Sequence, residues 1–128
     1  QEAQVALSAA QINAIRTTPV EIVPAPAAGK IVLVEHIAMK MFRTATAFAN
    51  GGAVEFRYTD GSGAKVSADI SASLVTGAAG TAYSSVSGVA TELTPVAAAK
   101  IVVTCATADF ITGTGTGQVT VLYKVVTP

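Results

Sequence analysis

Turn signals recur along this chain so closely that only short strands fit between them. Pro24-Ala25-Pro26-Ala27-Ala28-Gly29, Asn50-Gly51-Gly52, Asp60-Gly61-Ser62-Gly63 and Gly113-Thr114-Gly115-Thr116-Gly117 each interrupt the backbone with residues that favour turns or tolerate unusual φ. The runs between them alternate in the two-residue period of a half-buried strand. Val20-Glu21-Ile22-Val23 is the first. Lys30 to Phe42 is the longest, with Ile31, Leu33, Ile37, Met39 and Met41 on one parity and Glu35 breaking the series; a bulge near Glu35 would restore the phase. Val54, Phe56 and Tyr58 alternate with Glu55, Arg57 and Thr59, so the first set faces in and the second faces out. Lys100 to Thr107 is a buried run centred on Ile101, Val103 and Cys105, and Gln118 to Val126 closes the chain with Val119, Val121, Tyr123 and Val125 in phase.

The remaining segments are less decided. Val66 to Ile70 is a short strand at most, Ser71 to Val75 fits either a strand or one helical turn, and Thr81 to Leu93 reads as one or two exposed strands. Seven or eight short strands separated by turns predict an all-β single domain, a β-sandwich or jelly roll. Glu21-Ile22-Val23-Pro24 leading to Lys30-Ile31-Val32 is echoed by Glu92-Leu93-Thr94-Pro95 leading to Lys100-Ile101-Val102, at an offset of 71 residues before the turn and 70 after it. The echo fits two related strand-turn-strand units or chance in an Ala/Val-rich chain.

The first nineteen residues differ. Ser8-Ala9-Ala10-Gln11 is a capping box, Leu7 and Ile12 form its hydrophobic staple, and Pro19 ends the helix. Two turns of helix are not stable alone in water, so this segment must dock on its own domain or on a neighbour. The reading divides the chain into an N-terminal arm, 1–19, and a β-sandwich domain, 20–128.

Composition narrows the chemistry. Hydrophobic residues make up 51% of the 128, but 25 of those residues are alanines, and aromatics are only 5%. Eight basic and eight acidic side chains cancel, which excludes nucleic-acid binding by bulk charge. One Cys and one His exclude a disulfide framework and leave too few ligands for a Cys/His zinc site. No apolar run reaches the eighteen or so residues of a membrane span.

The motifs with chemical overtones each have a simpler reading. Asp69-Ile70-Ser71-Ala72-Ser73 matches the D-x-S-x-S cation motif of adhesion domains, but the βαβ alternation that builds such a site is missing. Asp60 opens no calcium loop, because no further carboxylate follows at useful spacing. The Gly113–Gly117 run precedes a strand and lacks the Lys-Ser/Thr continuation of a phosphate loop, so it reads as a flexible hairpin tip. Cys105 shares the phase of Ile101 and Val103, which marks a packed thiol, and His36 is a strand-surface imidazole. The expectation is no catalytic residue, no cofactor and no metal.

Leu7-Ser8-Ala9-Ala10-Gln11-Ile12, Thr17-Thr18-Pro19-Val20-Glu21-Ile22-Val23-Pro24-Ala25-Pro26, Gly29-Lys30-Ile31-Val32, Phe56-Arg57-Tyr58 and Val121-Leu122-Tyr123-Lys124-Val125-Val126 carry a resemblance. Together they resemble small virion proteins of tailed bacteriophages, in particular head decoration (cement) proteins. The resemblance implies a β-sandwich, commonly a homotrimer, on the outer surface of the phage head after synthesis in the bacterial cytoplasm. Its partner would be the major capsid protein lattice, whose neighbouring subunits it would bridge without chemistry, and without nucleic acid or membrane. In that setting the arm is a strap, with Leu7, Ile12, Ile15, Val20 and Ile22 as expected interface residues, each rivalled by packing on its own domain. The alternative from another class is a carbohydrate- or receptor-binding module of a tail or fibre, for which Phe42, Phe48, Tyr58 and Tyr83 are the available aromatics. A hydrolase would have to be built on His36.

Overall fold

Strand begins at the second residue. A computed structural model of the chain describes residues 1–88 and 94–128. In order, the elements are β1 (Glu2–Leu7), α1 (Ala9–Ile12), β2 (Val20–Val23), β3 (Ile31–Arg43), β4 (Ala49–Asn50), β5 (Val54–Tyr58), α2 (Ser73–Thr76), β6 (Gly80–Ser87), β7 (Ile101–Cys105), β8 (Phe110–Ile111) and β9 (Thr116–Val126). They form a four-stranded antiparallel sheet in the order β1-β9-β3-β6, a three-stranded one in the order β2-β7-β5, and a small β4-β8 pair. The expected all-β, sandwich-like fold is the one observed. The second half of the sequence echo and the tail of the Thr81–Leu93 run fall partly on residues 89–93, outside the described residues.

The two larger sheets share one core. Leu7, Ile37, Met39, Met41, Val119 and Val121 from the four-stranded sheet meet Ile22, Val54, Phe56, Tyr58, Ile101, Val103 and Cys105 from the other, all essentially free of solvent. The Tyr58 hydroxyl donates to the Val32 carbonyl at 2.6 Å, a buried link from one sheet to the other. With so many alanines, burial per residue is modest, so these few large side chains supply most of the hydrophobic driving force.

The bulge sits where the phase break places it. Pairing of β3 with β9 shifts register between Val34 and His36. Its effect on the faces is larger than a restored phase, because one extra residue exchanges inside for outside. Ile37, Met39 and Met41 face the core beyond the bulge, whereas before it Val32 is fully buried and Leu33 only half-buried.

The N-terminal segment is the principal departure from expectation. Residues 1–19 are not a free arm: β1 pairs with β9 over six residues, from Glu2 opposite Leu122 to Leu7 opposite Gly117. The capping box closes as read, with the Gln11 N–H donating to Ser8 Oγ at 3.1 Å and the Ser8 N–H donating to Gln11 Oε1 at 2.8 Å. The helix delivers Leu7, Ile12 and Ile15 into the core, each no more than 1% exposed, and Ile22 follows at 2%. Val20 is half-buried against the same core. These five residues pack on their own domain because β1 lies on the open side of β9, which leaves the staple directly over the sandwich interior.

Elsewhere, Ser73–Thr76 resolves as a helical turn that buries Leu74 and Val75. Glu55 faces away from the core as expected, yet it is only 5% exposed. Residues 64–70 fold over it: Arg57 Nε donates to Glu55 Oε2 at 2.6 Å, and Lys65 Nζ lies 3.8 Å from the same oxygen. The Gly113–Gly117 run is packed and not a loose tip, since Gly113, Gly115 and Gly117 are buried. A side chain on Gly113 would fall on the Phe48 ring, which meets Phe110 edge to face at 6.4 Å.

Candidate functional site

One face of the four-stranded sheet covers the core; among the described residues nothing covers the other. Antiparallel pairing arranges that outer face in rows across the strands: Glu2, Leu122, His36 and Ser87; Gln4, Thr120, Ala38 and Ser85; Ala6, Gln118, Lys40 and Tyr83; Thr116, Phe42 and Thr81. None of these residues is buried. Most are small or hydroxylated; Glu2 and Lys40 carry the charge in these rows, and Lys124, opposite Leu33, adds one more ammonium group to the face. The face is therefore flat, weakly charged and rich in hydrogen-bonding groups.

Three large apolar side chains stand out from it: Tyr83 at 70% exposure, Phe42 at 42% and Leu122 at 41%. Lys40 lies between the two aromatics, its Nζ 4.6 Å from the Phe42 ring centre and 5.3 Å from that of Tyr83. The ammonium over both rings is a cation–π arrangement that holds the side chains in place. Of the aromatics available for a binding platform, Phe42 and Tyr83 are thus on the surface together, while Phe48 and Tyr58 are core residues at 4% and 0%. Lys40, Gln118 and Thr120 gave no motif signal. Their only mark in the sequence is the parity opposite to Met39, Met41, Val119 and Val121.

A second polar cluster lies at the corner between α1 and β2. Asp109 accepts the N–H groups of Arg16 and Thr17 at 2.7 and 2.9 Å, and the Thr17 hydroxyl as well. The Arg16 guanidinium donates to the carbonyls of Cys105 and Ala106 at 2.9 and 2.8 Å, and Thr104 Oγ1 donates to the Ile15 carbonyl at 3.2 Å. These bonds commit every group to holding the N-terminal segment against the β7–β8 connection. The Thr17 hydroxyl first, and then the backbone donors and Arg16, hold the Asp109 carboxyl below its ordinary pKa. A depressed carboxyl stabilises the fold above the unfolded-state pKa of about 3.9, and that contribution fades as pH falls through the lower folded value. Acid unfolding monitored by circular dichroism is therefore expected to begin at higher pH in Asp109→Asn. Identical acid transitions in the two proteins would contradict the clamp.

The other sequence candidates are accounted for by packing. The Cys105 thiol donates to the Ala108 carbonyl at 2.9 Å, and burial, followed by the Asp109 charge, pushes its pKa up to about 11, so it is no nucleophile at neutral pH. His36 belongs to the open sheet face. Asp69 pairs with Lys65 at 2.8 Å, and Ser71 and Ser73 bond each other at 3.0 Å. No group of three or more metal-ligating side chains occurs among the described residues. Calcium or magnesium is expected to leave the Tm unchanged, and Asp69→Ala to cost less than about 1 kcal/mol, as exposed ion pairs do. A cation-induced rise in Tm that disappears in Asp69→Ala would restore the metal reading.

Comparison of the chain with protein-family models, with curated proteins and with solved structures finds no match.

Proposed function

We propose that this protein is a structural virion protein that decorates and stabilises an assembled bacteriophage capsid by bridging neighbouring capsid subunits. The reading assigns it no reaction, places it on the outer surface of the head, and makes its partners the major capsid protein lattice and further copies of itself, with a homotrimer as the expected unit. The observation that carries it is the open face of the four-stranded sheet, where Phe42, Tyr83 and Leu122 project from a flat field of small polar residues. Such a face matches a broad protein surface by shape and hydrogen bonding better than it encloses a small ligand. The segment resemblance around Leu7–Ile12, Val20–Pro26 and Val121–Val126 supports the same reading.

The test is binding to undecorated phage heads, followed by a salt wash. The bound protein is expected to stay on the particles as salt rises from about 0.1 to 1 M, because exposed ion pairs would be screened over that range and this face has few. Tyr83→Ser combined with Leu122→Ser is expected to abolish retention while leaving the fold intact. A protein that binds no particle at any salt concentration overturns the proposal.

The juxtaposition of Phe42 and Tyr83 also favours a second reading, a carbohydrate- or receptor-binding module of a tail or fibre. Sugar stacking needs free ring faces, and here the Lys40 ammonium lies over both rings. A glycan array separates the two readings: a specific sugar signal lost in Tyr83→Ser supports the second, and a blank array together with head binding supports the first.

A further inference from the structure

We infer that the β6 edge is a self-association site, pairing antiparallel with β6 of a second copy across a two-fold axis at Tyr83. Edge strands present unpaired N–H and C=O groups, and proteins usually protect them. Three edges of the two main sheets here are protected. On β1, the exposed Glu2 puts a carboxylate at the edge. β2 is four residues long and lies between Pro19 and Pro24. β5 is covered by the segment that follows it, through Val54 to Ile70 bonds of 2.8 and 2.9 Å, Val66 to Phe56 at 2.9 Å and Tyr58 to Ala64 at 3.0 Å.

Among the described residues β6 has none of these devices. It runs eight residues, Gly-Thr-Ala-Tyr-Ser-Ser-Val-Ser, without a charge, a proline or a register shift. Helix α2 and the core pack against β6, and Ser67 bridges to Gly88 beyond its end, but among the described residues no other segment hydrogen-bonds to the outward backbone groups of Thr81, Tyr83 and Ser85. The Gly88 N–H donates to the Glu35 carbonyl at 3.0 Å, which sets the alternation of the ladder. The backbone groups of Ala82, Ser84 and Val86 therefore face β3, and those of Thr81, Tyr83 and Ser85 face away from it.

Those three residues match a second copy of themselves. A dyad at Tyr83 places Tyr83 opposite Tyr83 and Thr81 opposite Ser85, so the one large, 70% exposed side chain packs on its mate at the centre and hydroxyls pair on either side. An uncharged strand on a chain of zero net charge needs no complementary charge in its partner, and copies do not repel. The two Lys40 side chains would sit three strand spacings apart, roughly 14 Å, beyond the Debye length of about 10 Å at 0.1 M salt. Pairing would extend the sheet to eight strands and make the open face continuous across both copies. One strand pair and two tyrosines bury less than the ~1,200 Å² of stable complexes. The contact is therefore weak between free molecules and gains strength by avidity when copies are already held side by side.

Sedimentation equilibrium of the full chain, from micromolar to millimolar, tests this. The expected result is a reversible doubling of mass with concentration, whether the unit that doubles is the monomer or the trimer. Ser85→Pro removes an outward N–H from each copy while sparing the bonds to β3, and Tyr83→Lys sets two like charges against each other at the dyad. Each is expected to weaken the doubling about tenfold or more, whereas Thr120→Lys, on β9 of the same face, leaves it unchanged. Tyr83→Cys guards against variants that fail to fold: mild oxidation should give a disulfide-linked dimer, which Thr120→Cys should not, with the buried Cys105 a bystander in both. Absence of doubling in the wild type, doubling untouched by both edge variants, or equal cross-linking at positions 83 and 120 would each overturn the inference. The inference is independent of the capsid reading. A protein that binds heads without doubling loses only the edge contact, and one that doubles without binding heads loses only the decoration role.

Discussion

Removing residues 1–18 is expected to leave a chain that does not fold. The deletion takes away β1, which supplies six paired residues along β9, and with it Leu7, Ile12 and Ile15, three of the largest fully buried side chains. Truncating one such Leu or Ile to Ala typically costs about 2–5 kcal/mol, and a whole domain is stable by only about 5–15 kcal/mol. Losing all three, together with the ladder bonds of β1, exceeds that margin. Deletion would also bare β9 as a new edge carrying Val119 and Val121 and invite aggregation. The measurement is far-ultraviolet circular dichroism with a thermal scan of the truncated and full chains. Ile12→Ala gives the graded version, a loss of about 3 kcal/mol and a fall in Tm on the order of ten degrees. A truncated chain that melts cooperatively near the full-length temperature would show that the segment is the detachable strap that its position and short helix first imply.

Gly63→Ala is expected to be the most damaging single methyl group. In the sequence, Asp60-Gly61-Ser62-Gly63 reads as a turn whose glycines serve positive φ. Neither glycine adopts it; Thr59 does, at φ 67°. Gly63 is needed for a different reason, because a Cβ there would fall on the Tyr58 carbonyl oxygen. That neighbour is backbone, held in place by the Tyr58 N–H to Ala64 carbonyl bond at 3.0 Å and by pairing of Tyr58 with Ile101. It cannot rotate aside, so the β5 end and the 64–70 cover must separate. The expected loss is about 3 kcal/mol, at the upper end of overpacking effects. Gly61→Ala is the control, since its nearest neighbours, Pro19 and Thr104, stand 3.7 Å away. Equal melting temperatures for the two variants would refute the close-approach argument.

Much of the fold was legible locally, for identifiable reasons. The capping box around Ser8 and Gln11 depends on atoms three residues apart, and both of its bonds are present. The bulge at Glu35 showed as a charge in the wrong phase of an apolar run, and the ladder shifts there. Ser71–Val75 stayed undecided because a four-residue segment satisfies both periods; packing of Leu74 and Val75 into the core selects the helical turn. Composition alone makes Gly113–Gly117 look loose, whereas its glycines let Phe48 and the Phe42 backbone approach.

The candidate surface was half legible. Parity separated Lys40 and Phe42 from Met39 and Met41, and Thr120 and Leu122 from Val119 and Val121, so the membership of each face could be written down beforehand. Parity does not say which strands stand side by side. Lys40 meets Tyr83 only because β6 returns next to β3, and β1 completes the face only because the chain's first strand pairs with its last.

Strand phase, turn positions, the helix cap and the break at Glu35 follow from causes that lie within a few residues of one another. It takes the packed molecule to make Glu2–Leu7 a strand of the sheet, to cover Glu55 but not Phe42, and to leave the β6 edge unpaired among the described residues. Pairing between segments some hundred residues apart is chosen by the burial it makes possible for the whole chain. In a sequence where 25 alanines make many faces nearly alike, no local pattern records that choice.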